Sequence, residues 1–145
     1  MKNEGLNIRN TVGGQEIFDC IRKKYVVLTP EELVRQNIIH YLANTKNYPL
    51  TLMRVEVGMK LNNMQKRCDI LIYDRNRNPL LMVECKAESV KISQDVFSQL
   101  SRYNLIFKVP YLIATNGNDT YCCKINFEKQ SFEFLKEIPM FEELG

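Results

Sequence analysis

A single histidine, His40, is present in 145 residues, and no serine or cysteine motif surrounds it, so nothing points to imidazole-assisted nucleophilic catalysis. Cysteine chemistry is equally thin. Cys20, Cys68, Cys85, Cys122 and Cys123 are odd in number and lack CxxC or Cys/His spacing, so they read as reduced, mostly buried small side chains, not disulfides or zinc ligands. No apolar run reaches membrane-spanning length, and the MKNE start lacks the apolar segment of a secretion signal; the expected setting is the cytoplasm, with no membrane partner. There is no GxxxxGK(S/T) phosphate loop, hence no expected ATP-driven motor, and no internal repeat or low-complexity tract.

What is present suits one ordinary domain spanning residues 1–145, with 45% hydrophobic content and enough length to bury a core. The net charge of +3 is modest but uneven: residues 1–127 carry 18 basic and 12 acidic groups, a net +6, while the remainder is acidic. Arg22-Lys23-Lys24, Lys66-Arg67 and Arg75 with Arg77 supply much of the excess. Such a field favours a phosphate backbone, although solvated surface lysines explain any one cluster as well.

Local patterns set the expected elements. Residues 1–14 show little pattern and contain Gly13-Gly14, which predicts a loose arm. Residues 17–27 fit a short helix or strand. Thr29, Pro30 and two glutamates form a strong helix start, and Val34, Ile38, Tyr41 and Leu42 make an apolar stripe that carries the helix to about Ala43. Over residues 52–61, Met53, Val55, Val57 and Met59 alternate with Arg54, Glu56, Gly58 and Lys60, a half-buried strand on which Glu56 reads as solvated. Ser93 can cap a helix over residues 94–107, and strands are expected at 111–114 and 120–125 around the turn at 116–119. Residues 128–145 form a C-terminal extension, a last strand and a tail.

The informative residues are Asp69, Glu84 and Lys86. They interrupt two apolar runs, CDILIY (68–73) and LLMVECK (80–86), joined by a turn-rich stretch, and burying a carboxylate costs several kcal/mol unless something pairs with it. If the connection closes an antiparallel hairpin with Tyr73 facing Leu80, Asp69 lies across from Glu84 on one face, with Cβ atoms roughly 4.5–5.5 Å apart. Lys86, two residues on, shares that face. Paired carboxylates repel unless a cation sits between them, and hard oxygen ligands suit Mg²⁺ or Mn²⁺. The competing explanation is a structural ion network of these residues with Arg67. A one-residue slip of register would defeat the pairing.

Asp69 followed by Glu84-Cys85-Lys86 resembles the D…ExK signature of the PD-(D/E)XK nuclease superfamily. QLSRY at residues 99–103 is similar to the QxxxY helix motif of its RecB-like branch, and PEELVRQ at residues 30–36 resembles the opening helix of the N-terminal nuclease domain of type I restriction enzyme R subunits. The likeness covers residues 18–125. It implies an α/β, restriction-endonuclease-like core in the order αβββαβ, a central mixed β-sheet flanked by helices. It also implies metal-dependent hydrolysis of DNA: Asp69, Glu84 and the backbone carbonyl of Cys85 would hold Mg²⁺ or Mn²⁺, Lys86 would act on water or the transition state, and Glu32, Gln99 and Tyr103 would support them. Glu32 is preferred to Glu31 because it stands three residues before Arg35. Ordinary helix packing explains Gln99 and Tyr103 equally well. DNA and other restriction or repair subunits are the implied partners; the alternative is a non-catalytic nucleic-acid-binding or assembly module that keeps the fold.

Overall fold

The structure, a computed structural model, describes residues 5–144. It opens with a three-stranded antiparallel sheet, β1 (Ile8–Thr11), β2 (Gly14–Asp19) and β3 (Lys24–Val27), in that spatial order. This corrects the expectation of a loose arm, whose residues 1–4 lie outside the described residues. The hairpin closes where Gly14 takes a φ of +131°, and Thr11 Oγ1 donates to the Gly14 carbonyl at 2.9 Å. Across it, Arg9 pairs with Glu16 at 2.8 Å and lies 3.7 Å from the centroid of the Tyr25 ring. All four β1 residues are exposed, so no apolar alternation marked this strand in the sequence.

Helix α1 (Pro30–Thr45) begins at the expected cap: Thr29 Oγ1 accepts from the Glu32 amide at 3.0 Å, a contact worth about 1 kcal/mol. A six-stranded sheet follows, β4 (Met53–Leu61), β5 (Met64–Tyr73), β6 (Pro79–Cys85), β7 (Tyr111–Thr115), β8 (Thr120–Asn126) and β9 (Ser131–Leu135), in sequential order. Only β6 and β7 are parallel, joined by α2 (Gln94–Phe107), so the sheet is mixed as expected. On one face Ile38, Ile39 and Leu42 of α1 pack on Ile70, Leu81 and Val83. On the other, Phe97 and Leu100 of α2 pack on Leu71, Met82 and Leu112. Each such buried side chain contributes about 1.5–3 kcal/mol. The tail is docked, too: Phe141 is buried in the α1-side core, and Tyr48 donates to the Pro139 carbonyl at 2.9 Å.

Two irregularities shape the sheet. Ile70, Leu71 and Ile72 pair with Val83, Met82 and Leu81 in the expected register, but Tyr73 faces Pro79 instead of Leu80. The Asp74 carboxylate accepts from the Asn76 and Asn78 amides at 2.8 and 2.9 Å and tightens the turn, and Pro79 has no N–H for the ladder, so the register slips by one there. The second irregularity is at Glu56, whose φ of +54° is left-handed and costly for a side-chain-bearing residue. Met53 and Val55 pack on the α1 side, Val57 and Met59 on the α2 side, so the four do not share a face as their spacing suggested. Opposite, β5 breaks its alternation at Asp69: Cys68 joins the α2-side core and Ile70 the α1-side core.

Candidate active site

The break in β4 and β5 places Asp69 where neither core claims its side chain. Its Oδ2 accepts from the Cys85 amide at 2.7 Å, tying the middle of β5 to the C-terminal end of β6. The β5–β6 ladder stops at Ile70 and Val83, so the expected opposition of Asp69 and Glu84 is not a ladder pair. Glu84 is 5% exposed and stands on the Met82 face of β6 by strand alternation. Burial raises its pKa, and the nearby Asp69 charge raises it further, against the opposing pull of Lys66 and Lys86.

Lys66 Nζ lies 2.8 Å from Glu84 Oε1 and 5.0 Å from the centroid of the Tyr103 ring. The ion pair is off the hydrogen-bonding direction, and Oε1 is a buried oxygen without an aligned donor among the described residues. The Tyr103 ring thus neighbours Lys66, a cation not among the expected site residues. Gln99, one turn earlier on α2, is exposed. Lys86 is half-buried, its amide donating to the Thr115 carbonyl at 2.9 Å, and its ammonium makes no ion pair with a described residue.

Glu32 faces a different group. Its two oxygens accept from Arg22 at 3.0 Å, Arg35 at 2.5 and 2.9 Å and Gln36 at 3.0 Å. Burial works to raise its pKa, but the Arg35 and Gln36 hydrogen bonds and the two guanidinium charges hold it below the ordinary value. Arg22, from the turn after β2, also pairs with the fully buried Asp19 at 2.5 Å. Glu56 completes this network, 3.3 Å from Arg35, 3.5 Å from Arg22 and 3.2 Å from Arg67. Arg22, Glu32, Arg35, Glu56, Asp69 and Cys85 line a cleft of about 300 Å³. Asp19, Arg22, Glu56 and Lys66 were missed as site residues. The D-x-x-R spacing of Asp19 and Arg22 was the one available signal, because the contacts of Glu56 depend on its unusual backbone.

Among the described residues no three His, Cys, Asp or Glu side chains are placed together for a metal ion. The donor set that remains, Asp69, Glu84 and the Cys85 carbonyl, is all oxygen and suits a hard cation, with the Lys66 ammonium already 2.8 Å from Glu84 Oε1. The Cys85 thiol packs in the α1-side apolar core, and burial raises its pKa.

A family model described as type I restriction enzyme R protein N terminus matches residues 30–139. Among solved structures, a fragment described as an HsdR subunit of a type I restriction enzyme from Vibrio vulnificus YJ016 superposes with a TM-score of 0.56 at 18% identity, over 81% of this chain and 24% of that one. The chain thus spans about a quarter of that relative's length, and the likeness shows a shared fold. No curated protein matches the sequence.

Proposed function

Because this chain belongs to the family of type I restriction enzyme R protein N-terminal domains, we propose that it hydrolyses DNA phosphodiester bonds with Mg²⁺ or Mn²⁺. The observation that supports this reading is the bond from the Cys85 amide to Asp69, midway along β5, with buried Glu84 close enough to feel the charges of Asp69 and Lys86. Asp69, Glu84 and the Cys85 carbonyl would hold the ion. When bound, it supplies Lewis acidity toward water and the scissile phosphate. Lys86, near enough to Glu84 to lower its pKa and without an ion pair among the described residues, brings a positive charge that is available to a phosphate oxygen or the attacking water. The Asp69 bond to the Cys85 amide holds the carboxylate in position. Tyr103 steadies Lys66, and Glu32 anchors the start of α1 against the cleft instead of offering a free oxygen.

A second reading has one observation in its favour: Lys66 already neutralises Glu84, as expected of a binding or assembly module that retains the fold without the chemistry. The relative's type I restriction enzyme would make other restriction subunits natural partners under either reading. Cleavage of plasmid and single-stranded DNA, with Mg²⁺ or Mn²⁺, by the wild type and Lys86→Ala separates the two. The expected result is metal-dependent cutting by the wild type, a loss of at least about a hundredfold in the variant, and similar DNA binding by both. Equal cutting by both removes Lys86 from the mechanism, and no cutting by either favours the binding module.

A further inference from the structure

Three guanidiniums from three different elements converge on one carboxylate, that of Glu56. Arg22 comes from the turn between β2 and β3, Arg35 from α1 and Arg67 from β5, at 3.5, 3.3 and 3.2 Å. These contacts are longer than those the same network makes to its other acids: Arg22 to Asp19 at 2.5 Å, and Arg35 to Glu32 at 2.5 and 2.9 Å. Asp19 and Glu32 are buried, whereas the Glu56 side chain is 40% exposed and stands on left-handed backbone. Two of the arginines are thus fixed by inner carboxylates, and both line the cleft beside Asp69, where Arg35 Nη1 also donates to the Asp69 carbonyl at 3.4 Å. Glu56 is the loosely held anion in that seat.

Resting on the nucleic-acid substrate proposed above, we propose that this cluster is a binding site for a backbone phosphate of the substrate, which Glu56 occupies in the free protein and gives up on binding. A phosphodiester presents oxygens that planar guanidinium donors pair with at least as well as with a carboxylate. Exchanging one anion for another leaves the charge of the cleft unchanged, so Glu31, Glu32 and Asp69 along its walls oppose the incoming phosphate no more than they oppose Glu56. Freed from Arg22 and Arg35, the Glu56 side chain can turn to solvent from its exposed position. Arg22 and the sheet that carries it precede residues 30–139, so this part of the seat lies outside the stretch the family model matches.

The test measures binding, so that its outcome is separate from that of the cleavage assay. A fluorescein-labelled DNA duplex is titrated in Mg²⁺ with the Lys86→Ala protein, alone and with Glu56→Gln, Glu133→Gln, Arg67→Ala or Arg22→Gln added; Glu133 is an exposed acid on β9, where it pairs with Lys124 of β8. The expected result is at least about fivefold tighter binding with Glu56→Gln, a steeper fall of affinity with salt, and less than about twofold gain with Glu133→Gln. Adding Arg67→Ala or Arg22→Gln to Glu56→Gln should cancel most of that gain. Arg67 is largely exposed, so its variant tests the seat even if Arg22→Gln lowers the melting temperature. Unchanged or weaker binding with Glu56→Gln, a gain matched by Glu133→Gln, or a gain that survives loss of Arg67 overturns the seat, whether or not the wild type cuts DNA.

Discussion

At the scale of single residues, the site sets one reluctant carboxylate against a group of contented ones. Asp19 and Glu32 are buried, which alone would raise their pKa values, yet arginine and amide donors hold both below their ordinary values of 3.8 and 4.5. Their stabilising contribution is present above those values and is lost as pH falls through the lower folded-state ones. Glu84 has the opposite sign. Its raised pKa means that its contribution is fully present below 4.5 and is lost as pH rises through the folded-state value, where a charged carboxylate must be kept beside Asp69. With a chelator present, Glu84→Gln should therefore melt about 3 °C higher than the wild type at neutral pH, on the order of 1 kcal/mol. The advantage should shrink as pH falls from the raised folded-state value toward 4.5 and be gone below it. A difference in melting temperature that stays flat across this range would show that burying the Glu84 charge costs nothing.

At the scale of elements, the middle of β5 and the C-terminal end of β6 are joined by a side chain where the ladder between them stops. Asp69→Ala should accelerate hydrogen exchange at the Cys85 amide about tenfold, the loss of one charge-assisted bond. Asp69→Asn keeps a carbonyl acceptor and should restore most of the protection while still losing metal binding. Equal protection in all three proteins would mean that Asp69 does not brace β6. This brace was only partly legible beforehand. The sequence pattern placed α1 and its Thr29 cap, α2 with its Ser93 cap, and the register of Ile70 to Ile72 on Val83 to Leu81, because each follows from local periodicity or capping chemistry. It did not place the slip at Pro79, which depends on how the Asp74 side chain gathers the turn, nor the reversal of faces at Glu56 and Asp69. Strict alternation cannot signal a residue at φ +54°, so Glu56 resembled an ordinary solvated acid. The small N-terminal sheet was hidden because an exposed strand such as β1 has no apolar face to reveal it.

For the whole molecule, two apolar cores on either side of a mixed sheet hold three groups of charges around the C-terminal end of β6: the carboxylates of Asp69 and Glu84, the lysines 66 and 86, and the arginine network reached through the N-terminal sheet. No helix of the described residues is long and apolar enough to cross a membrane. Family membership and fold agree with a nuclease-related domain, and Lys66 now occupies the place beside Glu84 that a divalent ion would have to share or take. The most direct test is anomalous diffraction from crystals soaked in Mn²⁺. The account predicts a peak within about 2.5 Å of oxygens from Asp69, Glu84 and the Cys85 carbonyl, with the Lys66 ammonium withdrawn from Glu84. Manganese bound only elsewhere, or an ordered site with no peak and the Lys66 to Glu84 contact intact, would contradict it.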